Sequence, residues 1–152
     1  VTEAGPLVSG LVRSSVGMGV LLEEGIGDTI RVSLSADPVQ EVFAGRVLLE
    51  CLGLRAEGVR VIACPMCARA CADVAAISSE LEDALKHIKE HVVVAVMGCV
   101  VNGPGEARIA DIGVACDPQG ALLFRHGKPV RRIATGDIVG TILNELDKES
   151  LA

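Results

Sequence analysis

Six consecutive apolar residues, Val92–Met97, lie between the charged stretch that ends at His91 and the glycine at position 98. A run this short and uninterrupted reads as a β-strand buried on both faces of a sheet. Its flanks extend the pattern. Val59–Ala63 reads as a strand, and Asp73–His91 as a helix with an apolar stripe of Val74, Ile77, Leu81, Leu85 and Ile88 and a Glu82–Lys86 pair. Ile109–Ala115, Ala121–Phe124 and Pro129–Ile133 read as shorter strands, the last two joined by a turn at His126–Gly127. Thr135 is placed to cap a final helix carrying Ile138, Ile142, Leu143 and Leu146.

The first third also alternates. Val1–Glu3 reads as the end of a strand, Gly5–Gly10 as a loop, Ser14–Glu24 as a helix and the β-branched Thr29–Leu34 as a strand. Asp37–Pro38 is a helix start, a capping carboxylate followed by proline at the first helical position. Val39, Val42, Phe43, Val47 and Cys51 then recur at helical spacing, and Gly53 follows the end. Alternation of this kind predicts an α/β fold. The polar break Ala56–Gly58 divides it into residues 1–55 and 56–152. Two βα units cannot close a barrel, so residues 1–55 are expected to be the tail of a larger β/α domain, and 56–152 a small α/β module. The chain begins with Val, which fits either processing or a piece of something longer.

Composition narrows function. Of 152 residues, 50% are hydrophobic and 22% charged, which excludes a disordered chain. There is no Trp or Tyr and only two Phe, so stacking platforms for single-stranded nucleic acid are missing. A net charge of −6 disfavours general affinity for a phosphate backbone. The longest apolar run is far short of the ~20 residues of a membrane-spanning helix. No basic start followed by an apolar stretch marks a secretion signal. The expected location is the cytoplasm, where six cysteines are more suited to metal or redox chemistry than to bridges.

Cys64-Pro65-Met66-Cys67 directly follows a predicted strand, and Cys99 follows the buried run within Met97-Gly98-Cys99-Val100-Val101-Asn102-Gly103-Pro104-Gly105-Glu106. In open parallel sheets sites form at the carboxyl ends of strands, so Cys64, Cys67 and Cys99 converge if their strands are neighbours. Three thiolates suit zinc or an iron–sulfur cluster, with Cys71, Cys116, Glu106 or a histidine as a fourth ligand. The plainer alternative is a zinc-bound structural or interaction module without redox activity. The order Cys64, Cys67, Cys71 reverses the spacing of the radical-enzyme motif. Cys51 and Cys116 read as small core hydrophobes. His87 and His91 read as cationic residues ending a helix, and Arg131 and Arg132 as solvated residues or part of a docking face for an electron carrier.

These residues resemble the C-terminal part of the 4-hydroxy-3-methylbut-2-enyl diphosphate synthase family, the iron–sulfur enzymes of the non-mevalonate isoprenoid route. The resemblance is carried by Val1–Gly5, Gly25–Leu34, Cys64–Cys67, Val94–Arg108 and Ala110–Gly113, in the family's order across essentially the whole chain. It implies that residues 1–55 are the last two βα units of an incomplete TIM-type barrel that binds substrate. Residues 56–152 would be an α/β domain holding a [4Fe–4S] cluster on Cys64, Cys67, Cys99 and Glu106.

The implied reaction is the two-electron ring opening and dehydroxylation of 2-C-methyl-D-erythritol 2,4-cyclodiphosphate, with flavodoxin or ferredoxin as donor and a homodimer as the working assembly. Arg31 and Ser33 match positions that hold the substrate diphosphate, Glu3 a barrel carboxylate near the reacting centre, and Asn102 a residue that hydrogen-bonds the substrate. Ala68 stands where the family usually has Gly; a backbone with positive φ there would be strained. Cys71 and Cys116 are thiols the resemblance does not account for, and with most of the barrel missing the chain alone is expected to be inactive.

Overall fold

The computed structural model describes residues 5–101 and 109–149 and divides the chain into two compact units, Val1–Ala56 and Glu57–Ala152. The fold is mixed α/β. The second unit is built on one five-stranded sheet: β1 (Val59–Ala63), β2 (Val92–Met97), β3 (Ile112–Asp117), β4 (Gly120–Arg125) and β5 (Lys128–Ile133), in spatial order β1-β2-β3-β4-β5. The first three run parallel, with Ala63 opposite Val96 and Val96 opposite Val114. The last three form an antiparallel meander. Helix α3 (Val74–Leu85) makes the crossover from β1 to β2, and α4 (Ile138–Glu149) closes the chain after a 3-10 turn at Thr135–Asp137.

Strand β2 is buried as its composition predicts: Val94, Ala95 and Val96 are inaccessible to solvent. On one face Val94 and Val96 join Ile112, Val114, Cys116 and Leu123 under α3 (Val74, Leu81, Leu85) and α4 (Ile138, Ile142, Leu146). On the other face Ala95, Met97, Ala115 and Phe124 form a second, smaller cluster. The β4–β5 hairpin turns through His126 and Gly127, at φ 47° and 73°. Both positive values are what a two-residue hairpin loop of the favoured twist demands.

Several boundaries differ from the sequence reading. Helix α3 stops at Leu85 rather than His91. The stretch beyond it is taken up by the sheet: Lys89 accepts from the Gly58 amide, and Val92 donates to Gly58. His87 and His91 therefore share no helix. Strand β3 starts at Ile112, three residues later than expected, because Asp111 ends the approach. Its amide donates to Val93 O at 2.9 Å, and its carboxylate accepts from Val93 N at 2.8 Å. Thr135 does not cap α4; it opens the 3-10 turn, whose cap position is Ala134.

In the first unit α1 spans Leu7–Glu23 and α2 spans Pro38–Cys51. The loop expected over Gly5–Gly10 is therefore largely helix. Pro6 sits at the cap of α1 and accepts from the Gly10 amide at 2.7 Å. Gly10 is buried where a Cβ would lie 2.6 Å from Leu34 Cδ2, so its glycine serves close packing and not a turn. Asp37 caps α2 as predicted, accepting from Val39 N at 2.9 Å.

Thr29–Leu34 is not a strand. A strand exists only through a paired neighbour, and among the described residues this segment has none. It is held instead by Ser35 N donating to Gly5 O and Leu34 N donating to the Glu41 carboxylate. The apolar stripe of α2 also faces the other way from expectation. Val39, Val42, Phe43, Val47 and Cys51 are exposed, whereas Gly45 is buried beneath Ile30 and Val32. Cys51 is thus no core residue. The expected strand end at Val1–Glu3 lies outside the described residues.

Candidate functional site

The parallel pairing of β1 and β2 sets the geometry of the cysteines. The register continues one step past β1, with Cys64 N donating to Val96 O at 3.3 Å. This carries the Cys64 thiol to the first residue beyond β2, where it accepts the Gly98 N–H at 3.1 Å. Cys99 is the next residue along. Two of the three predicted thiols thus leave adjacent parallel strands at the same end of the sheet, the arrangement expected of a strand-end site.

Cys67 lies on the exposed loop that leads from Cys64 to α3. The loop is folded on itself, with Ala70 N donating to Cys67 O at 3.0 Å. It is also pinned to β2, with Cys71 N donating to Gly98 O at 2.8 Å. A hydrogen bond from the Arg69 backbone, reinforced by its guanidinium, holds the Cys67 thiol below its ordinary value and so favours the thiolate that binds metal.

Ala68 carries no strain: His126 has the only positive φ among described non-glycine residues. The Cys71 thiol donates to the carbonyl of Arg69 in its own loop at 3.4 Å. Cys116 ends in the core cluster against which Cys64 packs. Burial, and then the nearby Cys71 and Cys64 thiols, push its pKa up to about 11, so it stays a neutral thiol, in keeping with the core reading.

Among the described residues no three His, Cys, Asp or Glu side chains are placed to hold a single metal ion. The thiols nevertheless suit a [4Fe–4S] cluster. In a cluster of that kind each cysteine would ligate a different iron, so the ligands would surround a body larger than one ion. A backbone N–H already directed at one sulfur is the kind of donor such clusters use. Glu106 and Asn102, proposed beside them, and Glu3 lie outside the described residues.

Arg31 and Ser33 belong to the first unit, on the segment between α1 and α2. Arg31 is exposed and Ser33 half-buried. Gly98 also belongs to this strand-end geometry and is not among the site residues that the sequence singles out. The signal was present, a glycine between a buried strand and a cysteine, but a glycine's role in packing shows only once its neighbours are known.

Comparison with known proteins gives a consistent picture. Residues 60–148 match the family model of the GcpE protein C-terminal domain, and residues 1–46 match that of the GcpE TIM-barrel domain. The chain is 47% identical over 148 residues to a 4-hydroxy-3-methylbut-2-en-1-yl diphosphate synthase (flavodoxin) of Geobacter sulfurreducens, covering 97% of this chain and 42% of that protein. It is 50% identical over 148 residues to the protein of the same name from Geobacillus thermodenitrificans, covering 97% of this chain and 40% of the relative. The Aquifex aeolicus protein of that name is 49% identical over 146 residues, covering 96% of this chain and 41% of the relative. The chain therefore spans about two fifths of the length of the curated relatives it matches.

Proposed function

The chain belongs to the GcpE family, and on that basis we propose that it is the C-terminal portion of an enzyme that converts 2-C-methyl-D-erythritol 2,4-cyclodiphosphate to 4-hydroxy-3-methylbut-2-enyl diphosphate in isoprenoid biosynthesis. The observation that carries this reading is the identity of 47–50% along 97% of the chain with synthases of that name. Residues 1–55 are then the last two βα units of a TIM-type substrate barrel, in which Thr29–Leu34 would pair as a strand only with the rest of that barrel, and residues 56–152 the cluster domain. The enzyme works in the cytoplasm as a homodimer, with flavodoxin or ferredoxin as electron donor.

The chemistry divides among the residues as follows. Arg31 offers parallel N–H donors to the oxygens of the diphosphate, and Ser33 adds a hydroxyl beside it. Asn102 orients the substrate by a hydrogen bond. Glu3 serves the departing hydroxyl, as its proton donor or its hydrogen-bond partner. Cys64, Cys67, Cys99 and Glu106 hold the [4Fe–4S] cluster. When bound, the cluster would pass the donor's electrons on one at a time, and Glu106, a harder and weaker ligand for iron than a thiolate, would leave its iron the most open to ligand exchange. Support for the thiol assignment comes from Cys64 and Cys99 leaving neighbouring parallel strands at one end of the sheet.

Anaerobic reconstitution of the chain tests this. Iron and acid-labile sulfide in equal amounts, with a brown colour that bleaches on reduction, are expected. Zinc without sulfide in a colourless protein would identify a structural zinc module instead. Glu106→Ala is expected to alter the spectrum of the bound cluster, whereas Cys71→Ala leaves it unchanged. Cluster loss in Cys71→Ala alone would move the fourth ligand from Glu106 to Cys71.

A further inference from the structure

The geometry points to Gly98 as a positioning residue for the candidate cluster, through both its N–H and its missing side chain. The inference rests on the reading of Cys64 as a cluster ligand. Three observations meet at this residue. Its N–H donates to Cys64 Sγ at 3.1 Å. Its carbonyl accepts from Cys71 N at 2.8 Å. A Cβ at this position would lie 2.9 Å from Val74 Cγ2 and 3.2 Å from Ala70 Cβ.

The first bond acts on charge. A sulfur that accepts an N–H gives less electron density to the iron it ligates, so the reduced cluster is stabilised and the reduction potential rises. The other two features act on position. The loop from Cys64 to Asp73 and the first residue of α3 close against the end of β2 only because position 98 presents bare backbone. With a methyl group there, Ala70 and Val74 must withdraw. The loop that carries Cys67 shifts with them by a few tenths of an ångström, and the N–H···S contact from position 98 lengthens. Gly98 thereby couples the two cysteine-bearing segments that the sequence keeps more than thirty residues apart.

The test has two arms. In the metal-free chain, Cys64→Ala removes the acceptor, and the Gly98 amide is expected to exchange with deuterium about tenfold faster, as for loss of one hydrogen bond to a buried amide. Cys67→Ala leaves that rate unchanged. Equal exchange in the wild-type and Cys64→Ala chains overturns the inference whatever the chain binds. In the reconstituted chain, Gly98→Ala is expected to shift the midpoint potential to more negative values and to weaken cluster retention. Adding Val74→Ala makes room for the methyl group and restores both, while Val74→Ala alone shifts neither. An unchanged potential in a Gly98→Ala chain that keeps its cluster overturns the inference, as does a double variant no better than Gly98→Ala. A wild-type chain that takes up no sulfide defeats the proposed function instead, and the exchange arm still decides the role of Gly98.

Discussion

Asp117 ends β3 with its carboxylate engaged from two sides. The Arg132 guanidinium of β5 pairs with it, and Gln119 N donates to it at 2.8 Å. These donors, Arg132 foremost, hold its carboxyl below the usual range. Glu145 on α4 is lowered likewise, first by Lys148 and then by Arg131 and Arg125. A carboxylate whose pKa is lower folded than unfolded stabilises the fold above its unfolded value. That contribution is lost as pH falls through the folded value. The urea midpoint of the chain should therefore fall as pH drops below about 4, where free carboxylates begin to protonate. Arg132→Gln should flatten the part of that slope due to Asp117, leaving the part due to Glu145. A midpoint that does not respond to pH between about 5 and 3 would contradict this. The same pairs explain why neither Arg131 nor Arg132 is simply solvated: each already has an acidic partner within its own unit.

At the scale of elements, the cap of α3 matters because that helix leaves the cysteine loop. The Asp73 side chain accepts from Ala76 N at 3.0 Å. Asp73→Ala should cost about 1 kcal/mol in a denaturant titration, while Asp73→Asn, which keeps an acceptor oxygen, should cost much less. The β4–β5 turn offers the opposite sign. His126 holds φ 47° with a full side chain, so His126→Asn should raise stability by about 0.5 kcal/mol. The turn was legible in the sequence, since a glycine between short strands is a local signal, and α3 was legible by its apolar stripe, though neither its cap at Asp73 nor its end at Leu85 was. Helix α1 was legible only in its second half, because Gly5, Pro6, Ser9 and Gly10 together resemble a loop when Leu34 is not seen against Gly10. Thr29–Leu34 has the composition of a strand, but pairing is non-local and no run of residues encodes its presence. The inward side of α2 was hidden for a related reason, as its contact is made by Gly45. In the candidate site, the cysteine pattern marked Cys64, Cys67 and Cys99. The coupling of their segments through Gly98 required the register of β1 against β2.

Across the whole molecule, the two units differ in how they are held. The second has a continuous aliphatic core in which Leu81, Val94, Val114, Leu123, Ile138 and Ile142 are wholly buried. Among the described residues the first buries only Met18 and Val32 of its larger apolar side chains, while Val8, Val12, Val16 and Val20 line an exposed stripe of α1. Stability follows buried apolar contact, so the units should open with different free energies. Amides of β2, β3 and β4 should exchange with deuterium most slowly, at rates set by opening of the whole second unit. Amides of α1 and α2 should exchange orders of magnitude faster. Leu81→Ala should cost about 2–5 kcal/mol and accelerate exchange throughout β2–β4, because it leaves a cavity shared by helix and sheet. The same substitution should leave exchange in α1 and α2 unchanged, since their protection comes from their own few buried contacts. Protection of α1 equal to that of β3 in this chain would mean that burial does not set the order of opening here.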